Sequence, residues 1–109
     1  MVYMALTRDF KETVIKRIEH DPDFARSLLR EAIDLILDGD SKTAKLLLRD
    51  LINSTLGFEG LAEEVHKPSK SLHRMLSASG NPTMENLSAI IATIKKALHV
   101  RIDTTVTAA

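Results

Sequence analysis

The stretch FEGLAEEVHKPSKSLHRML, residues 58–76, decides how this chain is read. It holds two short helical patterns parted by Lys67-Pro68. Proline has no backbone N–H and disfavours helix at the residue before it, so the pattern is two helices and a sharp connection. In the first helix Leu61 and Val65 face a core, and Ala62 is small enough for a second helix to cross closely. In the second, Leu72, Met75 and Leu76 share one side at i, i+3 and i+4 spacing. A rotation of about 100° per residue puts Lys70, His73, Arg74 and Ser77 on the other side. That side carries basic and polar groups and no carboxylate.

Two short helices, a tight turn and longer helices on both flanks are the layout of a helix-turn-helix. Upstream, Thr7 reads as the N-cap of a helix reaching His20, with Phe10, Val14 and Ile18 in one stripe. Asp21-Pro22 restarts the chain as cap and first helical residue, and Gly39 ends that second helix after about Asp38. Asp40 or Ser41 caps a third helix to about Thr55, where Gly57 stops it. Downstream, Ser79-Gly80-Asn81-Pro82 is a dense turn signal, and Thr83 caps a last helix to about Leu98. Val100, Ile102, Thr104 and Val106 then alternate with polar residues, which suits either an edge strand pairing with a partner or a frayed tail. The fold expected is all-α, a compact bundle of about six helices. A helix pair within residues 1–40 packs on the core, residues 41–99 form the helix-turn-helix domain, and residues 100–109 are strand or tail.

Composition narrows the function classes. With 109 residues, 44% apolar and 28% charged, the chain suits one globular domain with an aliphatic core. No cysteine means no disulfide, thiolate metal site or cysteine nucleophile. No apolar run approaches the roughly 20 residues of a membrane span, and no leader pattern opens the chain, so a cytoplasmic protein without a membrane partner is expected. The Asn53-Ser54-Thr55 and Asn86-Leu87-Ser88 acceptor patterns carry no meaning in that setting. Histidines 20, 66, 73 and 99 keep no metal-ligand spacing, and Asp40-Ser41-Lys42-Thr43 after Gly39 is a capped helix start rather than a phosphate loop. Neither a cofactor nor an enzymatic activity is expected.

Net charge is zero, so distribution carries the information. Residues 67–84 contain no acid, while Glu59, Glu63 and Glu64 crowd just upstream. A short basic stretch is commonly a solvated surface; its place inside the motif favours groove contact here. The candidate DNA-binding residues are Lys67, Ser69, Lys70, Ser71, His73, Arg74 and Ser77. For Ala62, Leu72 and Met75 the structural role is sufficient. Lys95, Lys96 and Arg101 read as solvated.

From about Leu48 to Ile102, roughly half the chain, the sequence resembles the antidote (antitoxin) proteins of addiction modules, within the phage-repressor-like helix-turn-helix superfamily. The matching residues are Leu61-Ala62-Glu63-Glu64, then Ser71-Leu72-His73-Arg74-Met75-Leu76-Ser77, then Gly80-Asn81-Pro82-Thr83. The resemblance implies a dimer on a double-stranded operator, repression of its own promoter, and neutralisation of a partner toxin of the ribonuclease type. Two residues depart from the pattern. His66 stands where the family usually has a turn glycine, and Pro68 where a serine or threonine cap is common, leaving Ser69 as the helix-end hydroxyl. The rival reading is a helical protein–protein module that covers a toxin with little DNA binding.

Overall fold

Several helix ends are set by local chemistry that the sequence carries openly. In the computed structural model, which describes residues 8–109, α1 (Arg8–His20), α2 (Pro22–Leu37), α3 (Ser41–Ser54), α4 (Gly57–Val65), α5 (Ser69–Met75) and α6 (Met84–Leu98) follow in order. The Thr7 cap and the Phe10 side chain lie outside the described residues. Asp21 Oδ1 accepts from the Phe24 N–H at 3.1 Å, and Pro22 opens α2. The helix ends in a Schellman motif, with Gly39 at φ 87°, its N–H on the Ile36 carbonyl and that of Asp40 on Leu35. Asp40 caps α3 through the Thr43 N–H at 3.1 Å, and Thr83 caps α6 through the Asn86 N–H at 3.1 Å.

α3 is the axle of the bundle. Leu47, Leu48, Leu51 and Ile52 are each fully buried, because α1, α2 and α4 all pack against it. One apolar cluster runs from Val14 and Ile18 in α1 to Ile90 and Ile94 in α6, so the first two helices share the core of the others. Two charged residues of α3 are buried as well. Lys45 extends its Nζ to the carbonyls of Gly80 at 2.6 Å and Ala78 at 3.3 Å, tying the turn after α5 to the bundle. Asp50 is 3% exposed and its Oδ2 has no hydrogen-bond partner among the described residues.

His99 closes α6 in the left-handed conformation at φ 56°, and Val100 still packs on the core. Residues 101–109 are exposed and carry no regular structure, so the alternating pattern does not form a strand within the described residues. Period-two alternation needs a neighbouring strand to become one. None of the described helices is long and apolar enough to cross a membrane.

Candidate nucleic-acid interface

α4 and α5 pack against each other across the three-residue connection 66–68. His66 takes the left-handed conformation there, with φ 56° and ψ 46°, a geometry that glycine adopts without a Cβ penalty. The carbonyl of Ala62 accepts the Lys67 N–H at 3.2 Å and closes the turn. His66→Gly is therefore expected to raise stability by about 0.5–1 kcal/mol, since it removes left-handed strain at an exposed position. Urea denaturation of the two proteins checks this, and a loss of stability would contradict it.

Pro68 is extended, at φ −61° and ψ 139°, and sits just outside α5. Its carbonyl accepts the N–H groups of Ser71 at 3.0 Å and Leu72 at 3.2 Å, so the helix opens at Ser69. The Ser69 hydroxyl does not cap α5. It donates to Glu59 Oε1 on α4 at 2.9 Å. The helix is anchored by Leu72, 1% exposed, and its cap residue Leu76, fully buried, with Met75 partly buried beside them.

Opposite that anchor, Lys70, His73 and Arg74 are exposed on α5, and Lys67 is exposed in the turn. Ser71 is half-buried between the two sides. Ser77 lies beyond the end of the helix, and its hydroxyl donates to the Arg74 carbonyl at 2.7 Å. The face thus keeps its three cations, while Ser69 and Ser77 spend their hydroxyl hydrogens inside the motif.

His73 has a role the helical period alone did not disclose. Its ring stacks on Phe58 of α4, centroids 3.8 Å apart and planes 19° from parallel. Phe58 is 6% exposed, so the stack fixes the rotation of α5 against α4 while leaving one imidazole face outward. The two residues are 15 positions apart, beyond any helical spacing that would pair them in the sequence.

The electrostatics follow from where the acids go. Glu59 is held by Ser69, and Glu64 pairs with Lys96 of α6 at 3.9 Å. Arg101 is paired with Asp103 at 3.1 Å. Among the described residues Lys67, Lys70 and Arg74 form no salt bridge. Grooves open elsewhere, one of about 490 Å³ between α2 and residues 100–105, another of about 430 Å³ between the ends of α1, α3 and α6. Among the described residues, no cluster of three or more His, Asp and Glu could hold a metal ion. No protein-family model, curated protein or solved structure matches the chain.

Proposed function

We propose that this protein is a sequence-specific DNA-binding regulator of the antitoxin type, which binds its own operator as a dimer and neutralises a partner toxin. The observation that carries the reading is α5 itself. Leu72 and Leu76 hold it to the core, and the opposite side presents Lys70, His73 and Arg74 with no neutralising carboxylate. Seven residues at 1.5 Å rise span about 10 Å, which fits a major groove about 12 Å wide. Arg74 has the length and donor geometry for a guanine edge, while Lys67 and Lys70 suit phosphates.

Three cations per protomer, six in a dimer, give an expected slope of log affinity against log salt of roughly −5. Arg74→Ala is expected to weaken operator binding by about tenfold to a hundredfold and to relax sequence preference. Lys70→Glu should weaken binding to all sequences. Fluorescence anisotropy with the upstream region of the protein's own gene, at physiological salt, measures both. Unchanged affinity and preference in the Arg74→Ala protein would remove Arg74 from the reading. No binding by the parent protein at micromolar concentration would favour the toxin-covering module instead.

A further inference from the structure

The segment after α6 has the composition of a strand and no strand beside it. Val100, Ile102 and Thr104 fall on one face and Arg101 and Asp103 on the other, as extended backbone requires. Arg101 Nε lies 3.1 Å from Asp103 Oδ1, a same-face i, i+2 contact. The last backbone–backbone hydrogen bond in this direction is that of the Val100 N–H to Lys95, and residues 101–109 are exposed. Their amides and carbonyls are an open edge. Ile102 and Val106 are exposed to 36% and 90% along it, and Leu37, which borders the groove between the segment and α2, to 76%.

We infer that residues 100–104 pair antiparallel with the same residues of a second copy of this chain. The charges on the segment are self-complementary about Ile102. With Ile102 opposite Ile102 of the second copy, each Arg101 faces an Asp103 and each Asp103 an Arg101. On the other face each Val100 meets a Thr104. Opposite charges directly across an antiparallel pair stabilise it, and like charges there destabilise it, so this register is favoured over its neighbours. The twofold axis stands perpendicular to the two-stranded ribbon, which leaves both α2 helices on one side of it. Leu37, exposed beside the groove, then lies on the same side of the ribbon in both copies, as an isologous interface demands. The pairing needs no DNA and stands or falls apart from the operator reading.

Sedimentation equilibrium on the full chain without nucleic acid tests it. The parent protein is expected to be a dimer. Arg101→Asp and Asp103→Arg, each alone, place like charges opposite each other twice per dimer and should weaken it at least about tenfold. The two substitutions together restore opposite charges and should restore the dimer. Because the segment is exposed, helix content and melting temperature of the monomer serve as folding controls. The chain has no cysteine, so Ile102→Cys should cross-link across the axis on oxidation and Arg101→Cys should not. A monomeric parent protein, single variants that dimerise as well as the parent, or a double variant that stays monomeric would overturn the pairing.

Discussion

Gly80→Ala is expected to destabilise the fold by about 3 kcal/mol, the upper end of what overpacking costs. A Cβ at this position would fall within contact distance of the Arg74 and Met75 carbonyl oxygens and 2.6 Å from the Met75 carbonyl carbon. These are backbone atoms of the last turn of α5, so no rotamer change relieves the clash. Nor can the turn back away, because Lys45 grips the Gly80 carbonyl at 2.6 Å and the Ala78 carbonyl at 3.3 Å from inside the bundle. The strain must go into the end of α5 or into the buried ammonium, which loses its acceptors if the turn lifts. Urea denaturation should show a lower midpoint with an unchanged slope. Ser79→Ala, an exposed neighbour, should lie within about 0.5 kcal/mol of the parent protein. A Gly80→Ala protein as stable as that control would mean that the turn does not press on α5.

Asp50→Asn should remove a pH dependence of similar size. Burial raises the Asp50 carboxyl from 3.8 to about 6, because the charged form loses its water and the unpartnered Oδ2 receives nothing in exchange. The unfolded chain releases this proton near 3.8 and the folded chain near 6. Between those values the native state binds more protons than the unfolded one, so this group's contribution to stability falls as pH rises through the window. A shift of about two units corresponds to roughly 3 kcal/mol, setting in near pH 3.8 and complete above about pH 6.5. Asparagine has nearly the same shape and no charge. The variant should match the parent protein near pH 4 and exceed its stability by roughly 2–3 kcal/mol at pH 7.5, the leftover amide costing the rest. Denaturation midpoints at pH 4, 5.5 and 7.5 decide the matter. Parallel pH profiles for the two proteins would place the proton elsewhere.

These two residues also mark where sequence reading stopped. Caps are local chemistry, so Asp21, Asp40 and Thr83 could be read from a few neighbouring residues, and each accepts the backbone N–H that its position implies. Apolar spacing revealed the buried side of α5, since Leu72 and Leu76 need only a helix and a core to go inward. Lys67-Pro68 was legible as the connection, and Pro68 stands at the cap position just outside α5. Lys45 and Asp50 look like ordinary surface charges on an amphipathic helix. They are buried because α1, α2 and α4 together cover most of α3 and leave the stripe of Lys42, Leu46, Arg49 and Asn53 at least partly open, a property of the assembled bundle. The partners of Lys45 lie 33 and 35 residues away. Glu59 was read as part of an acidic crowd upstream, yet its carboxylate meets the Ser69 hydroxyl across the turn and is partly occupied there. The segment 100–106 shows the opposite limit. Its alternation was legible, but a strand is a relation between two segments, and the described chain supplies one.

The brevity of α5 has a consequence for how its exposed side chains are switched on. Seven residues without a side-chain cap are too few to hold a helix in water, where isolated helices shorter than about 12 residues barely form. A synthetic peptide covering residues 66–78 should accordingly be a coil and ignore DNA. In the intact protein the amides of α5 should exchange with solvent only when Leu72 and Leu76 leave the interior. The exposed basic face is on this view a collective property: whatever melts the aliphatic interior, heat or a proteolytic nick in α3, dissolves it in the same event.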